Sequence, residues 1–375
     1  MKPNIFLITI DALRSDYIYK KNENLHPFIS ELMDKSIVFK NVISPGPATA
    51  TSFPALFTDL SPLEARKGEG RFNEIPPQTT TLAEKFKNLG YYTAGFSNNA
   101  HLTRIQGYDR GFDHFFDGIK NKEKSSEESL KIKKKIVKSL KNSLDPKFKR
   151  GKFIIGPILA LLNERGYEPF TNLLKRIKKF MKSYSGDKPL FLWTHLMEVH
   201  SPYNLPSIHF SEIGEKTIPN WEQQWLRHKR HNSDCYDGNY LFEKEMEKIK
   251  VLYRCGIKDV DTNLRLFFDY LKENGYLENG CFTITADHGE NLGEHGLTTH
   301  SYIYNSVLKV PLIVHDGIDK GSINEIFSNS DLGQLLMDHS KGHSIKERIK
   351  KYSKPVISER EGDIFSIQNK KYIMS

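Results

Sequence analysis

Acidic and imidazole side chains crowd into one short segment of the chain, "FTITADHGENLGEHG", residues 282–296. Its apolar first half reads as a buried strand. Its second half carries Asp287, His288, Glu290, Glu294 and His295. Carboxylate and imidazole groups at a strand end are typical ligands of Mn²⁺ or Zn²⁺. Alone, the segment is either a metal site, with Asp287 and His288 as candidate ligands, or a capping turn with a solvated acidic loop.

A second strand end carries an acid as well. "NIFLITI", residues 4–10, is a continuous apolar run that stops at Asp11. One acid after one strand would be read as a turn or cap residue. Two strand ends with acids, one of them followed by a histidine, favour a shared metal site.

Hydroxyl groups form a third group of interest in "SPGPATATSFPALFTDLSP", residues 44–62. Gly and Pro predict a tight loop, and "FPALFT" predicts a helix after it. A Thr or Ser at a helix start is often only an N-cap. It is also a candidate nucleophile, because a helix N-terminus and a bound cation together lower the pKa of a hydroxyl and attract an anionic ester. Both interpretations stay open on the residues alone.

The elements that must position these groups alternate along the chain. Further strands are predicted at 91–97, 189–197, 281–287 and 310–315. Helical stretches lie between them, such as 80–90, with Thr80 or Thr81 as N-cap and Gly90 at the end. This alternation predicts a doubly wound, mostly parallel α/β sheet with helices on both faces. Ligands of such sheets gather at the carboxyl ends of the strands, where Asp11 and Asp287 would meet.

The composition changes between residues 120 and 188, where lysines dominate. We predict a lysine-rich helical insertion within one catalytic domain of residues 1–375. Its lysines are read first as a solvated face and second as an anion-binding surface. The net charge of +9 alone does not choose a partner, and no nucleic-acid-binding motif accompanies it, so no nucleic acid partner is expected.

Membrane and disulfide signals are weak in this sequence. No apolar run approaches the roughly 20 residues of a transmembrane helix, so no transmembrane segment is expected. The three cysteines form no C-x-x-C pair, which disfavours a disulfide framework and favours a reducing, cytoplasmic location. A homo-oligomer is compatible with the sequence.

Taken together, these motifs resemble the sulfatase-like branch of the alkaline phosphatase superfamily, over most of the chain outside the insertion. The similar blocks occur in the family's order. They are "NIFLITIDALRSDY", "GPATATSFPALFTDLSP", "TTLAEKFKNLGYYTAGFSNN", "GYDRGFDHF", "HLMEVHSPY", "DVDTNLRLFFDYL" and "TADHGENLGEHGLTTHSYIYNSVLKVPLIV".

The resemblance assigns roles to individual residues. It implies an alkaline-phosphatase-like fold, Thr49 as nucleophile and metal ligand, and Asp11, Asp287 and His288 as the other metal ligands. His200 matches a substrate-contacting histidine, and His300 stands where many sulfatases have a lysine. Either histidine would serve as general acid for the leaving oxygen. From their place at the end of the 91–97 strand, Asn98 and Asn99 are candidate substrate-binding groups.

Three departures from the family pattern shape the functional prediction. Thr49 stands where sulfatases have the Cys or Ser that becomes formylglycine, Phe53 replaces the signature arginine, and Ala12 replaces a second aspartate. The Asp-x-x-x-His pattern of a second zinc site is missing after Asp261. The ligand set then resembles the one-metal sites of phosphonate monoester hydrolases and lipoteichoic-acid synthase-like transferases. We predict one divalent ion, Mn²⁺ or Zn²⁺ before Ca²⁺ or Mg²⁺.

The sequence thus predicts a metal-dependent hydrolase or transferase of phosphate or sulfate esters that acts through a threonine nucleophile. Its partner would be an anionic ester, with a glycan or a lipid headgroup as candidates. Two alternatives stay open: an arylsulfatase-type sulfate ester hydrolase, and a catalytically decayed protein that binds anionic glycans or lipids. The C-terminal subdomain is expected to be short or truncated.

Overall fold

A mixed eight-stranded sheet forms the centre of the computed structural model. The structure describes residues 2–22, 24–58, 60–61, 64, 74–118, 167–203, 205–233, 243–300, 302–352, 354–360, 364–368 and 373–374. The strand order is β4-β3-β5-β1-β6-β7-β2-β8, and a separate small sheet has the order β11-β10-β9. The strands are β1 (Asn4–Ile10), β2 (Ile37–Ile43), β3 (Tyr92–Ser97), β4 (His114–Phe116), β5 (Leu190–Leu196), β6 (Gly280–Ala286), β7 (Lys309–His315), β8 (Gly321–Ser328), β9 (Val356–Arg360), β10 (Ile364–Gln368) and β11 (Ile373–Met374).

Helices connect the strands. They are α1 (Ser15–Tyr19), α2 (Pro27–Asp34), α3 (Thr49–Thr58), α4 (Leu82–Asn88), α5 (Phe170–Ser183), α6 (Ser207–Glu212), α7 (Asn220–Ser233), α8 (Glu243–Glu273), α9 (Asn305–Leu308), α10 (Leu332–Ser340) and α11 (Ile345–Tyr352). Short 3₁₀ turns lie at Arg104–Gln106, Glu294–Gly296 and Asn329–Asp331. Thr81 caps α4 in a reciprocal capping box with Glu84, as its position in the sequence predicts.

The predicted fold class is confirmed. The pairs of β1 with β5 and β6, β3 with β4 and β5, and β2 with β8 are parallel. Strand β7 runs antiparallel to both of its neighbours, β2 and β6. Each strand of the predicted set is present, and β1, β5 and β6 are almost wholly buried, which explains their continuous apolar sequences.

Three strands of the large sheet were not predicted from the sequence. In β2 the polar pair Lys40 and Asn41 interrupts the apolar run, and a register shift lies at the same place. Strand β8 lies at one edge of the sheet, and most of its first five residues are exposed or half-buried. Strand β4, with three residues, lies at the other edge. These two edge strands are less completely buried than β1, β5 and β6, so their sequences carry a weaker apolar signal.

The predicted insertion, 120–188, falls largely on residues 119–166, which lie outside the described part of the chain, so its overall form stays a prediction. Within it, α5 buries the apolar face expected from its helical spacing, namely Phe170, Leu173, Leu174, Ile177, Phe180 and Met181. The long helix α8 packs against α2, α5 and α6. None of the described helices is long and apolar enough to cross a membrane.

Candidate active site

Asp11 follows β1 in a turn with an unusual backbone conformation. Ala12 has φ of +61°, a left-handed conformation that costs a residue with a Cβ on the order of 1 kcal/mol. The Tyr253 hydroxyl holds this turn, because it donates to Ala12 O at 2.8 Å and accepts from Arg14 N at 2.9 Å. The Ala12 amide donates to Asp287 Oδ1 at 3.3 Å. Strain of this kind, held by surrounding contacts, is typical of functional sites.

Asp287 and His288 follow β6, the neighbour of β1. Because Ile10 pairs with Ala286 in register, Asp11 and Asp287 leave the sheet side by side. The loop that continues from them passes very close to α9: a Cβ on Gly289 would lie 2.2 Å from Ser306 O. His288 Nδ1 lies 2.8 Å from Gly289 O, which leaves His288 Nε2 to face the acids.

Thr49 is the first residue of α3. The loop before the helix is tight, since a Cβ on Gly46 would lie 2.3 Å from Thr51 Oγ1. Thr51 in turn donates to Ala48 O at 2.9 Å. Thr51 Oγ1 also accepts from Ala48 N at 3.3 Å and so caps this helix start, whereas the hydroxyl of Thr49 points to the acids.

The predicted metal ligands meet in one buried cluster. Thr49 Oγ1 donates to Asp287 Oδ2 at 2.8 Å and lies 3.3 Å from Asp11 Oδ2 and 3.4 Å from His288 Nε2. His288 Nε2 lies 3.4 Å from Asp11 Oδ1 and 3.5 Å from Asp287 Oδ2. All four residues are at most 6% exposed. The structure therefore brings together every residue predicted to bind the metal.

The donor set fits a divalent cation. Asp11 Oδ1 is buried and has no hydrogen-bond partner within the described part of the chain, although an unsatisfied buried carboxylate oxygen is costly. The cluster as a whole offers two carboxylates, a hydroxyl and an imidazole nitrogen. These groups are ligands suited to Mn²⁺ or Zn²⁺. Burial alone would raise the pKa of Asp11, but its histidine neighbours, His200 first, hold that pKa well below its usual range.

His195 also reaches this cluster, and sequence reasoning missed it. It lies inside β5, is fully buried, and places Nε2 3.3 Å from Asp11 Oδ2. Together with Asp11 and Asp287 it forms a group of potential ligand atoms within 4.8 Å of one another. Phe53, at the position where the resemblance implies an arginine, packs edge-on against the His195 ring at 4.9 Å. The signal available in the sequence was a polar pair, Thr194 and His195, inside a mostly apolar strand.

His200 and His300 form a second cluster with Glu290. The rings of His200 and His300 lie 5.3 Å apart, and His300 lies 4.3 Å from the ring of His288. His300 Nδ1 lies 3.3 Å from Glu290 Oε1. The second cluster therefore adjoins the first.

The pKa values of His200 and His300 are shifted in opposite directions. Burial lowers the pKa of His200. Burial also disfavours the charged form of His300, but the adjacent Glu290 carboxylate outweighs it and raises the pKa of His300. His300 is thus the better proton donor near neutral pH, and His200 the better neutral hydrogen-bonding group.

A buried arginine on α7 completes the second cluster. Arg230 forms an ion pair with Glu290 Oε2, and it donates to Tyr203 Oη at 3.2 Å and to Thr298 O. Burial alone would raise the pKa of Glu290, but Arg230 and His300 lower it to about 2. Glu290, His200 and His300 are residue types that bind cations, and their ligand atoms lie within 4.8 Å of one another. Arg230, however, already neutralises the Glu290 carboxylate.

The two asparagines after β3 behave differently. Asn99 Nδ2 donates to Asp11 Oδ2 at 2.8 Å, so it contacts a metal ligand directly. Asn98 instead donates its amide to Glu168 O. The structure therefore joins Asn99, and not Asn98, to the cluster.

The remaining charged groups of the 282–296 segment support the loop. Glu294 forms an ion pair with Arg14 at 2.7 Å and accepts from Leu292 N. Arg14 also pairs with Asp16 at 2.8 Å. The His295 ring stacks on Tyr304 with 3.9 Å between ring centroids. These contacts fix the path of the loop that carries Asp287 and His288.

We expect Arg230→Met to destabilise the protein strongly. The change leaves His300 as the remaining partner of the buried Glu290 charge, and breaking a buried ion pair in this way lowers the free energy of unfolding by about 3 to 5 kcal/mol. Since the native pKa of Glu290 lies below its ordinary value of 4.5, its charge stabilises the native state above that pH. This contribution is lost as the pH falls toward 2. Urea unfolding at several pH values measures both effects.

Two variants control this prediction. Lys229→Met, on the same helix, removes a more exposed ion pair with Glu245 and should cost within about 1 kcal/mol. Arg230→Met combined with Glu290→Gln should recover part of the loss, because the buried charge is gone. Equal stability of Arg230→Met and Lys229→Met would show that the Arg230 pair contributes no special stability.

Comparison with known proteins adds independent findings. The sequence model of the family described as Sulfatase matches residues 3–343. An arylsulfatase of Clostridium perfringens is 24% identical over 90% of this chain and 75% of its own length. A multifunctional alkaline phosphatase superfamily protein, PehA, of Trinickia caryophylli is 34% identical over 88% of this chain and 72% of its own length. The crystal structure of a phosphonate monoester hydrolase of Agrobacterium radiobacter superposes with a TM-score of 0.70 and 15% identity, over 99% of this chain and 86% of that one.

Proposed function

The chain belongs to the sulfatase family and is accordingly a hydrolase of sulfate or phosphate esters, and from this premise we propose that it cleaves phosphate esters through an unmodified threonine, Thr49. The observation that carries the proposal is the position of Thr49 Oγ1. The hydroxyl lies 2.8 to 3.4 Å from Asp287, Asp11 and His288. A hydroxyl at the first turn of a helix, among ligands for a cation, is placed to attack an anionic ester.

The residues that would hold the cation are Asp11, Asp287, His288 and Thr49. We favour Mn²⁺ or Zn²⁺ because the set mixes carboxylates with one imidazole. When bound, a divalent ion polarises the ester and lowers the pKa of the attacking hydroxyl.

The protein's own groups account for the proton movements. Thr49 Oγ1, which its hydrogen bond to Asp287 Oδ2 holds in place, gives its proton to solvent water and forms a bond to phosphorus. The bond between phosphorus and the leaving oxygen breaks, and that oxygen takes a proton from His300, whose pKa is raised by Glu290. His200 hydrogen-bonds the transferred group. The product of this half-reaction is a phosphothreonine and the free alcohol.

The second half-reaction favours phosphate over sulfate. Water, or an acceptor alcohol in a transferase, attacks the phosphothreonine, and the P–Oγ1 bond breaks with return of a proton to Thr49. An oxidised formylglycine, as the family uses for sulfate, releases its group from a hydrate by a different route, and threonine lacks that hydrate. The threonine at position 49 is therefore better suited to phosphoryl transfer.

A panel of 4-nitrophenyl esters tests the proposal with purified protein and added Mn²⁺ or Zn²⁺. We expect kcat/KM for the phosphate diester, the phosphate monoester or the phosphonate to exceed that for the sulfate by at least about tenfold. Mass spectrometry of acid-quenched protein should find the phosphoryl group on Thr49. Faster hydrolysis of the sulfate would establish the arylsulfatase alternative instead.

The binding-protein alternative predicts a different pattern. A decayed site would hydrolyse none of these esters and would still bind anionic glycans or lipid vesicles. The intact cluster around Thr49 favours the enzyme. A glycan or a lipid headgroup as the natural ester, a homo-oligomer and a cytoplasmic location all stay predictions.

A further inference from the structure

His195 occupies a fully buried position between β1 and the metal ligands. It pairs in register with Thr9 on β1, and the side chains of the two residues meet, with His195 Nδ1 2.9 Å from Thr9 Oγ1. On the other side of the ring, His195 Nε2 lies 3.3 Å from Asp11 Oδ2 and 3.5 Å from Asn99 Nδ2. An imidazole with both nitrogens engaged in this way has a defined orientation.

The hydrogen bonds around Thr9 indicate which nitrogen of His195 carries a proton. The Trp193 indole N–H, which can only donate, lies 3.0 Å from Thr9 Oγ1. Thr9 therefore has one proton of its own to give, either to His195 Nδ1 at 2.9 Å or to Thr194 O at 3.3 Å. The shorter contact is to His195. If Nδ1 accepts this proton, Nε2 of the neutral ring carries the N–H and donates to Asp11 Oδ2. The 3.5 Å contact of Nε2 with Asn99 Nδ2 is then not a hydrogen bond, because both nitrogens are donors, and Asn99 donates to Asp11 Oδ2 instead.

The two oxygens of Asp11 then have different tasks. Oδ2 accepts from Asn99 at 2.8 Å and from His195 at 3.3 Å. Oδ1 is buried, has no hydrogen-bond partner among the described residues, and lies 3.4 Å from His288 Nε2. The protein thus fixes one oxygen and leaves the other to the cation.

We propose that His195 is a positioning residue for the metal ligand Asp11. The hydrogen bonds that link Trp193, Thr9 and His195 set the tautomer of the His195 ring. This inference rests on the metal site of the proposed function. Hydrogen bonds that orient a ligand from behind typically change metal affinity by about 10- to 100-fold. The rival role is direct ligation by His195, which its distance to Asp11 and Asp287 would allow and which requires an unprotonated Nε2.

The test is the dissociation constant of Mn²⁺ and Zn²⁺, measured by competition with a chelator on His195 variants. His195→Leu removes the donor and should weaken binding by about 10- to 100-fold. His195→Gln keeps an N–H donor and should stay within about fivefold of wild type, since an amide can orient a carboxylate as an imidazole does. Thr9→Val leaves the ring in place but removes its proton donor, and should also weaken binding. His114→Leu, in edge strand β4, is the matched control and should bind as wild type does.

Each outcome decides a distinct question. Wild-type affinity in both His195→Leu and Thr9→Val would overturn the positioning role while leaving the metal site intact. A loss in His195→Gln as large as in His195→Leu would also overturn it, in favour of direct ligation. If His195→Leu does not fold, Thr9→Val and His195→Gln decide between the roles. Wild-type protein that binds neither metal would refute the proposed function itself, and this inference with it.

Discussion

Thr49→Ala lowers kcat/KM for the preferred ester by at least about a thousandfold, if the hydroxyl is the nucleophile as proposed. The loss is large because no other described hydroxyl shares its position: the Thr51 hydroxyl is turned back to Ala48 O. Thr49→Ser keeps the nucleophilic oxygen and should retain most of the activity. Initial rates with saturating metal measure the effect, and mass spectrometry should find no phosphoryl group on the alanine variant.

A second threonine on the same helix provides the control. Thr58 is also buried, and its hydroxyl donates to Pro54 O at 2.6 Å within α3. Thr58→Ala therefore removes a buried hydroxyl without touching the cluster, and its kcat/KM should stay close to that of wild type. If Thr49→Ala keeps more than about a tenth of the wild-type kcat/KM, the nucleophile is another group.

The sequence was sufficient to predict five of the eight strands of the large sheet and the polar residues that follow β1 and β6. Buried parallel strands have continuous apolar sequences, so β1, β5 and β6 were recognisable. The groups Asp11, Asp287 and His288 follow such strands directly, and the register of β1 with β6 brings them together. The apolar sequence of each strand and the polar residues that follow it indicate the same place in the sheet, so the position of these residues was predictable without a structure.

The contacts of His195 and Arg230, and the side-chain directions of Asn98 and Asn99, were not predictable in this way. His195 lies within a strand, and only the side-by-side pairing of β5 with β1 shows that it reaches Asp11. Arg230 lies far from Glu290 along the chain, on a mostly polar helix in which it is one of several basic residues. Asn98 and Asn99 are neighbours in sequence, and the direction of each side chain decided which one joins the site. Long-range pairing and side-chain direction are three-dimensional facts that a single sequence does not carry.

Metal removal is the second change with a large expected effect. Chelation should lower kcat at least about a hundredfold, because the cation supplies several kcal/mol of charge stabilisation in the transition state. It should also destabilise the fold, since a ligand that binds only the native state at 100 times its Kd adds about 2.7 kcal/mol. We expect Mn²⁺ or Zn²⁺ to raise the Tm of the apoprotein by a few degrees.

Asp287→Asn should separate binding from folding. Asp287 Oδ1 accepts from His288 N at 2.9 Å and from Ala12 N, and an asparagine oxygen can keep both hydrogen bonds. The variant should therefore fold, and without metal it should be at least as stable as wild type, because one of two adjacent buried carboxylates is neutralised. It should lose the metal-induced rise in Tm, because the anionic ligand is gone.

A buried aspartate remote from the cluster makes this test specific. Asp261 accepts from Ile29 N at 2.7 Å and from Phe28 N at 3.2 Å, so it too is a carboxylate that binds two backbone amides. Asp261→Asn should keep the full metal-induced rise in Tm. If Asp287→Asn keeps it as well, then Asp287 contributes no essential ligand, and the donors that bind the cation must be sought among Asp11, His288 and His195. If only Asp287→Asn loses this rise in Tm, the carboxylate that hydrogen-bonds Thr49 Oγ1 is also the one through which the cation stabilises the fold.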